Sequence, residues 1–547
     1  MSTDDPNTPT GVEGVRPVTD SSSGTREAFL SRELPGWHWR LTEARFRDRT
    51  DVVNELVFET EWLLHPRERS LAFRGACFSV ENAESGDGFI VVLRQPLPER
   101  RAESSGRPDL VVEKAEAGYI ARVFCDTAEH VVVLEYTGGD LGRTRALQTY
   151  QRDTRPATAW HRKASFLSNT WGDRNRDARI GEEFMMREIE AGARLGVDVV
   201  QIDDGWESGT TANAVAAQGG GSGRWSGYWD DESSFWAVNR ERFPNGLDPV
   251  ITAARGRGIE IGLWYSPDSL HDFANWERDI EQLVSLHETY GVRFFKMDGI
   301  DCKSRDAFER LERLLAAVIE RSGGEVVFDL DITAQTRPGY WGLPGTGPLF
   351  VENRYTDWHD YWPHHTLRNL WKLARWVDPL RLRFEFLNNE RNTELYRDDP
   401  LAPATYRPDV LFAMVMIANP LGWFEVSSLP ESYFEKLPEL VALWKEHRDR
   451  WARCTILPVG DEPDGWGICG FLIIGADDRL FEALFFRGAG AREACTIPLP
   501  AAVATASGRA DAADGELTAI AGAGRITLTG GLIAVRLPQP RSFVWAG

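Results

Sequence analysis

The first part of the chain alternates apolar and polar positions with a period of two, which is typical of β-strands with one buried face. Clear examples are Phe89–Leu93, Tyr119–Val123 and His130–Leu134. Turns rich in Pro, Gly and charged residues separate these runs, as between the strands of an antiparallel sandwich. The pattern predicts an N-terminal β-sandwich domain over residues 27–155. Residues 1–26 are rich in Ser, Thr, Asp, Pro and Gly, and they are expected to form a disordered tail.

From about residue 164 the pattern changes to a repeat of strand, loop and helix. Three segments, 182–195, 275–290 and 306–321, are predicted helices, and glycines stop them at Gly196, at Gly291 and at Gly323-Gly324. Eight strand–helix units over roughly 290 residues match a (β/α)8 TIM barrel, which is predicted over residues 160–452. A doubly wound open sheet is the alternative, but no GxGxxG motif follows the first strand. The eight strand-like runs are at residues 165–168, 197–203, 259–264, 292–296, 325–328, 349–352, 382–386 and around 421–424.

Strand-like alternation returns after about residue 455, for example in 470–474 and 480–484. It predicts a small C-terminal antiparallel β domain over residues 455–547. Within it, the Ala/Gly-rich residues 501–524 are expected to form a surface hairpin. The predicted fold is therefore multidomain α/β plus β, with a TIM barrel flanked by a β-sandwich and a smaller β domain.

The composition narrows the classes of function. A net charge of −21 disfavours nucleic acid and anionic membranes, because both bind clustered Lys and Arg. No apolar run reaches the roughly 18 residues of a spanning helix, and the N-terminus lacks the features of a signal peptide. Six scattered cysteines without a CxxC motif predict reduced thiols in the cytoplasm rather than a zinc site. The 21 tryptophans suit stacking on sugar rings, although most are expected in cores.

Carboxylates recur where the predicted strands end. Asp298 follows the fourth run, Asp357 follows the sixth, and the adjacent Asp203 and Asp204 end the second. A barrel brings the carboxyl ends of its strands to one mouth. Two carboxylates held there about 5–5.5 Å apart would form the nucleophile and acid/base pair of a retaining glycosidase. Adjacent aspartates repel unless they bind something, and sugar hydroxyls are good partners; a helix N-cap or a divalent-cation site is the alternative.

Four motifs, in this order, resemble the α-galactosidase (melibiase) families 27 and 36 of glycoside hydrolases, in clan D. They are Ile202–Trp206 (IDDGW), Arg242–Gly246 (RFPNG), Gly262–Trp264 (GLW) and Lys296–Gly299 (KMDG). The likeness covers about residues 164–450. It implies a barrel enzyme that acts on α-galactosides and needs no metal or organic cofactor.

The resemblance also implies roles for individual residues. Asp298 would be the nucleophile and Asp357 the acid/base, while Lys296 would contact sugar hydroxyls and keep Asp298 ionised. Asp360, three residues beyond Asp357, is the rival acid. The other expected sugar contacts are Arg354 near C2 and C3, Asp203 and Asp204 at C4 and C6, Trp206 in the same motif, and Trp171 and Trp264 as stacking walls.

Parts of the chain depart from the family pattern. The Cys/Ser/Gly-rich loop that surrounds the 2-hydroxyl in family 36 is replaced by residues 329–340. Arg337 in this segment is expected to read a different C2 substituent or a second sugar. Asp268, also expected at the sugar, ends strand three where family 36 tends to carry Glu. Residues 207–233 form a long Gly-rich loop, which is either a lid on the mouth or a disordered insertion.

We therefore predict a retaining glycosidase that cleaves terminal α-galactoside-type linkages by double displacement. The changed loop leaves open an α-N-acetylgalactosaminidase, a β-L-arabinopyranosidase or a transglycosylase. A non-catalytic carbohydrate-binding protein is disfavoured because carboxylates follow both strands. A metal hydrolase would need clustered histidines at strand ends, whereas His359, His364 and His365 lie in a helix-start segment. The expected partner is an oligosaccharide or glycoside, with no nucleic acid or membrane; the sequence leaves open whether the chain forms a homo-oligomer.

Overall fold

A computed structural model of the chain describes residues 28–47, 54–67, 69–94, 108–125, 130–230, 234–333, 337–351, 354–507 and 515–547. The predicted disordered tail at residues 1–26 lies outside these ranges, so it stays a prediction.

Nine strands precede the barrel among the described residues: β1 (Leu30–Pro35), β2 (Trp39–Phe46), β3 (Val57–Leu63), β4 (Ser70–Phe73), β5 (Cys77–Asn82), β6 (Gly88–Leu93), β7 (Leu110–Ala115), β8 (Gly118–Val123) and β9 (Val131–Tyr136). They form two antiparallel sheets, of order β1-β8-β7-β4 and β3-β2-β5-β6-β9. On β6, Phe89 and Val91 face a core shared by the two sheets, whereas Ile90 and Val92 pack in the core of the barrel. The predicted N-terminal sandwich is confirmed, and strand β6 of its second sheet is buried on both faces.

Eight parallel strands close a barrel: β10 (Leu167–Asn169), β11 (Val199–Ile202), β12 (Glu260–Tyr265), β13 (Phe294–Met297), β14 (Val327–Asp331), β15 (Leu349–Phe350), β16 (Leu382–Leu387) and β17 (Asn419–Trp423). Each pairs with its neighbours in chain order, and β17 closes onto β10 where Leu421 pairs with Leu167. The predicted TIM barrel is confirmed. Its interior is packed and includes a fully buried ion pair, in which Arg383 Nε lies 2.6 Å from Asp329 Oδ1.

Most of the helices alternate with the barrel strands. The helix α3 (Glu182–Leu195) is followed by Gly196, which has φ 87°, the left-handed conformation that favours glycine after a helix. At the start of α7 (Arg305–Arg321), the Ser304 side chain accepts a hydrogen bond from the Ala307 N–H. In the described ranges, no helix combines the length and the apolar character needed to cross a bilayer. The helices are α1 (Gly139–Asp153), α2 (Ala159–Arg162), α3 (Glu182–Leu195), α4 (Val215–Gln218), α5 (Asp248–Arg255), α6 (Trp276–Tyr290), α7 (Arg305–Arg321), α8 (Gly339–Gly342), α9 (Pro363–Leu373), α10 (Pro408–Val415), α11 (Ser432–Trp451) and α12 (Ala501–Ser507).

Two antiparallel sheets follow the barrel, as the predicted C-terminal β domain requires. Their orders are β18-β19-β20-β26-β23 and β21-β25-β24-β22; the strands are β18 (Thr455–Gly460), β19 (Ile468–Ile474), β20 (Leu480–Arg487), β21 (Ala494–Pro498), β22 (Gly515–Glu516), β23 (Ala519–Gly522), β24 (Arg525–Thr529), β25 (Leu532–Arg536) and β26 (Ser542–Ala546). The expectation of a surface hairpin at residues 501–524 is wrong. The segment begins with α12, because its alanines favour a helix and Val503 is buried in the core of the domain.

Candidate functional site

The carboxyl ends of the barrel strands surround a solvent-open cleft with a cavity volume of about 210 Å³. Four aspartates, one lysine and one arginine give it a charged floor, and aromatic side chains form its walls. Carboxylates accept hydrogen bonds from hydroxyl groups and indoles stack on apolar ring faces, so the cleft suits a polyhydroxylated ring. The lining residues are Trp171, Asp203, Asp204, Asn213, Trp225, Trp264, Lys296, Asp298, Asp331, Thr333, Arg337 and Tyr355.

Asp298 follows β13 and projects into the cleft, with 20% of its side chain exposed. Its Oδ1 accepts hydrogen bonds from the Gly299 N–H at 2.7 Å and from Arg337 Nη2 at 3.2 Å. Its Oδ2 accepts one from the Trp264 indole N–H at 3.3 Å. Burial alone would raise the pKa of Asp298, but the charges of Lys296 and Arg337 outweigh it and lower the pKa below its usual value. Asp298 is therefore an ionised carboxylate at neutral pH.

Lys296 lies two residues earlier on β13 and forms ion pairs with two carboxylates of the cleft floor. Its Nζ lies 3.0 Å from Asp203 Oδ2 and 3.6 Å from Asp331 Oδ2. Asn169 at the end of β10 donates to the same oxygen of Asp203 at 2.8 Å. Burial alone would lower the pKa of the Lys296 amine, but Asp203 and Asp331 outweigh burial and raise it. Lys296 thus stays charged and neutralises two of the four carboxylates.

Asp204 lines the cleft beside Asp203 but has different partners. Its Oδ2 accepts a hydrogen bond from the Thr211 hydroxyl, and its carboxyl group also lies within hydrogen-bonding distance of Glu207. Burial raises the pKa of Asp204 to about 6. The alternative in which this aspartate pair caps a helix is wrong, because the next helix, α4, begins only at Val215.

The long loop after β11 forms a fixed wall of the cleft over its described part, residues 207–230. Trp225 lines the cleft and meets Trp264 edge-on, with ring centroids 6.4 Å apart. The Gly227 N–H donates to Asp268 Oδ1 at 2.7 Å, and the Trp229 indole donates to Asp279 at 2.9 Å. These bonds tie the loop to the region after β12, so this part of the loop is an ordered insertion.

Two residues that were expected to contact the sugar do not line the cleft. Asp268 is fully buried and anchors the loop wall by accepting a hydrogen bond from the Gly227 N–H. Trp206 is also fully buried: its indole N–H donates to the backbone oxygen of Trp264 at 2.8 Å, and its ring stacks on Trp236. Both residues therefore support the cleft from behind. Trp171 and Trp264 do line it, as predicted.

Asp357 lies at the rim rather than on the cleft floor. β15 ends at Phe350, and Asp357 is in a 3₁₀ turn, Thr356–Trp358, so it does not end the strand as predicted. Its Oδ2 pairs with Arg174 Nη1 at 3.0 Å, and 43% of its side chain is exposed. It lines a small depression next to the cleft together with Asp173. Two residues before it, Tyr355 lines the cleft itself, which places Asp357 between the two spaces.

The other predicted residues of this segment, Arg354 and Asp360, are not among the described lining residues of the cleft. Arg354 is buried, and its backbone N–H donates to Glu385 at 3.3 Å; its contact near C2 and C3 stays a prediction. Asp360 Oδ1 accepts a hydrogen bond from the Tyr355 N–H at 2.8 Å, and burial raises the pKa of Asp360. This carboxyl group stabilises the turn and is not among the described lining residues.

Asp331 is a site residue that the sequence analysis did not assign. It ends β14, lines the cleft and pairs with Lys296, and burial together with the nearby Asp298 raises its pKa. The signal was present in the spacing, because Asp329 and Asp331 are two residues apart on one strand, as Lys296 and Asp298 are. Asn213 and Thr333 also line the cleft and come from loops without a recognisable motif. Within the described ranges, no group of three or more His, Cys, Asp or Glu side chains is arranged to hold a metal ion.

The family model that matches the chain is melibiase, over residues 126–279. The matched segment contains Asp203, Asp204 and Trp264 and ends before Asp298. Among curated proteins, the α-galactosidase of Escherichia coli is 30% identical over 91 residues, and α-galactosidase AgaA of Geobacillus stearothermophilus is 29% identical over 137 residues. These segments cover 16% and 25% of this chain but span only 10% and 15% of the two relatives.

Solved structures of the family 36 α-galactosidase AgaA from Geobacillus stearothermophilus share the fold. Its complex with 1-deoxygalactonojirimycin has a TM-score of 0.59 at 14% identity, covering 93% of this chain and 76% of that one. Variants of AgaA in complex with raffinose and stachyose have TM-scores of 0.58 and 0.62, at 15% and 13% identity and the same coverage. The similarity thus extends over the barrel and the flanking β domains.

Proposed function

The chain belongs to the α-galactosidase superfamily, and from this premise we propose that it is a retaining glycoside hydrolase that cleaves terminal α-galactoside-type linkages. The observation that carries the proposal is the environment of Asp298. An ionised carboxylate faces an open cleft, two cations hold it ionised, and Asp203 and Asp204 lie on the same floor as acceptors for hydroxyl groups. A nucleophilic carboxylate needs this combination of negative charge and access to the ligand.

In the proposed mechanism, an oxygen of Asp298 attacks the anomeric carbon and displaces the aglycone oxygen. Asp357 donates its proton to that oxygen, which leaves as a hydroxyl group, and a glycosyl ester of Asp298 remains. Water then attacks the anomeric carbon, Asp357 takes the proton from the water, and the ester bond to Asp298 breaks. Two inversions give net retention of the anomeric configuration. Both steps use carboxyl groups of the chain alone.

The role of Asp357 requires movement at the rim. Its carboxylate pairs with Arg174, and Arg174 also lies over the ring of Trp358 at 4.4 Å. To reach the glycosidic oxygen, the Asp357 side chain has to leave this ion pair and turn toward the cleft, beside Tyr355. Side chains with 43% and 23% exposure, as in this pair, have room to change rotamer when a substrate enters.

The proposed sugar contacts are the residues that line the cleft. Asp203 and Asp204 would accept hydrogen bonds from hydroxyls, Lys296 would donate to them, and Trp171 and Trp264 would stack on the ring. The likeness to AgaA, which was solved with raffinose and stachyose, favours an oligosaccharide substrate.

Hydrolysis of a panel of aryl glycosides tests the proposal: α-galactoside, α-N-acetylgalactosaminide, α-glucoside and β-L-arabinopyranoside. Wild type should turn over the α-galactoside, and Asp298→Ala should lose this activity by at least about 10³-fold, as expected for a lost nucleophile. If the enzyme prefers the N-acetylated sugar or the arabinoside, the proposed mechanism stands and only the proposed sugar changes. Undiminished activity of Asp298→Ala would overturn the mechanism.

A further inference from the structure

Glu207 is a buried carboxyl group directly behind the cleft. It lies three residues after Asp204, at the point where the loop after β11 pairs with Val238 in an isolated bridge. Its side chain is 1% exposed, and its Oε2 accepts a hydrogen bond from the Gly205 N–H at 3.1 Å. Its Oε1 is shielded from solvent and receives no hydrogen bond from any donor in the described residues. The carboxyl group lies within hydrogen-bonding distance of the carboxyl group of Asp204.

The pair of Asp204 and Glu207 differs from the other carboxylates around it. Asp203 is paired with Lys296, and Asp177, which also faces Asp204, is paired with Arg242. Among the described residues, neither Asp204 nor Glu207 forms an ion pair with a lysine or arginine. The Thr211 hydroxyl donates to Asp204, and the Gly205 N–H donates to Glu207.

Two touching carboxyl groups in a buried site cannot both be ionised, because like charges repel strongly where water is excluded. They share one proton instead. The shared proton belongs on Glu207 for two reasons. Glu207 is the deeper group, and burial together with Asp204 raises its pKa well above the usual range, whereas Asp204 faces the cleft and has a pKa of about 6. A proton on Glu207 also supplies a hydrogen-bond donor between the two carboxyl groups, which would otherwise present only acceptor oxygens to each other.

We infer that Glu207 is a positioning residue: its protonated carboxyl group donates a hydrogen bond to Asp204 and holds the Asp204 carboxylate as an acceptor for a substrate hydroxyl. The inference rests on the proposed function for the identity of the ligand. Glu207 itself touches no substrate. At alkaline pH the pair loses the shared proton, Asp204 loses its donor, and binding of the sugar weakens.

Two substitutions separate this role from simple packing. In Glu207→Gln, the amide N–H₂ donates to Asp204 at every pH and the amide oxygen still accepts from the Gly205 N–H. In Glu207→Leu the volume is similar, but the donor is lost. Glu241→Gln, on the exposed part of the same connection, is the matched control. Circular dichroism and thermal melting establish which variants are folded.

The experiment measures KM and kcat for an aryl α-galactoside from acid to alkaline pH. Wild type should show a KM that rises at alkaline pH, whereas Glu207→Gln should have a near wild-type KM at neutral pH and no alkaline rise. Glu207→Leu should raise KM about tenfold or more at all pH values, with kcat changed much less, since one buried charged hydrogen bond is lost. Glu241→Gln should behave as wild type. An alkaline rise that persists in Glu207→Gln, or a normal KM in folded Glu207→Leu, would overturn the inference.

An infrared difference spectrum gives a readout that does not depend on the sugar or on catalysis. Wild type at neutral pH should show the carbonyl stretch of a protonated carboxyl group that Glu207→Gln lacks, and the band should disappear at alkaline pH. If wild type hydrolyses none of the glycosides, the proposed function fails and the infrared result alone decides the inference. Absence of the band in folded wild type contradicts the shared proton even if the enzyme is active.

Discussion

Arg337 Nη2 lies 3.2 Å from Asp298 Oδ1, so an arginine expected to read the C2 substituent contacts the proposed nucleophile instead. The Arg337 side chain is fully buried and approaches from the segment after β14, while Lys296 approaches from β13 itself. The two cations reach Asp298 from two neighbouring strands. Together they keep the carboxylate ionised against the effect of its burial.

Replacing Arg337 should shift the acid limb of the pH profile. Without this cation the pKa of Asp298 rises, so a larger fraction is protonated at low pH and the acid limb of kcat/KM moves to higher pH. We expect Arg337→Met to lower kcat/KM at neutral pH by about 10–100-fold. Arg337→Lys, which retains a charge, should show a smaller shift. An unmoved acid limb in folded Arg337→Met would contradict the electrostatic role.

Lys296→Met should impair both catalysis and stability. The substitution leaves Asp203 and Asp331 without the cation that lies 3.0 and 3.6 Å away. Because an uncompensated buried charge is costly, the free energy of unfolding should fall by about 3–5 kcal/mol, and kcat should fall by about 10²-fold or more. Denaturant unfolding and steady-state kinetics measure the two effects. Wild-type stability in Lys296→Met would show that the three groups are not coupled.

We expect Asp268 to affect activity by anchoring residues 207–230, and not by contacting the sugar. Its Oδ1 accepts from Gly227 at 2.7 Å and from Leu270 at 3.2 Å, and its Oδ2 accepts from Asn275 at 3.1 Å. Asp268→Ala should speed hydrogen exchange in residues 207–230 and raise KM, because Trp225 loses its support. Asp268→Asn retains one acceptor oxygen for Gly227 and Leu270 and should be milder. Unchanged exchange in Asp268→Ala would rule out the anchoring role.

Asp279 should contribute to the free energy of unfolding by an amount that decreases as pH rises. Burial raises the pKa of Asp279 from 3.8 to about 7, although Tyr265 and Trp229 donate to it. The folded pKa exceeds the unfolded one, so between about pH 4 and 7 the folded state binds more protons and the free energy of unfolding decreases with pH. The contribution is fully present below about pH 4. Asp279→Asn removes the titration but keeps an acceptor oxygen for both donors.

The measurement compares how steeply the free energy of unfolding changes with pH in wild type and in Asp279→Asn. The difference between the two slopes isolates Asp279 from the other carboxyl groups. Denaturant unfolding of wild type and Asp279→Asn at several pH values should give a steeper decline for wild type, by a few kcal/mol over the whole interval. Equal slopes in the two proteins would mean that Asp279 is ionised throughout.

Much of the fold could be predicted from the sequence because the local patterns are consistent. The apolar run of β6 and the helical spacing in α3 each depend on one element and its burial. The convergence of Asp203, Asp204 and Asp298 followed from topology, because a barrel brings its strand ends together whatever the loops do. Asp331 could have been included by the same argument, from its spacing to Asp329.

The directions of several side chains near the site depend on tertiary contacts that the sequence does not show. Trp206 and Asp268 lie in motifs near the site, yet each is turned to a backbone group of a neighbouring segment, at Trp264 and Gly227 respectively. Asp357 lies in a turn beyond the end of β15, and its pairing with Arg174 depends on a loop 183 residues earlier. No periodicity or motif encodes such a contact between distant loops.

The most direct test of the account is to trap the covalent intermediate. Wild type is incubated with a fluorinated α-galactosyl fluoride, whose intermediate forms faster than it hydrolyses, and the labelled peptide is mapped by mass spectrometry. The account predicts one fluorogalactosyl group per chain, attached to Asp298 and absent from Asp298→Ala. A label on Asp203 or Asp331, or steady release of the inverted sugar without any label, would contradict it.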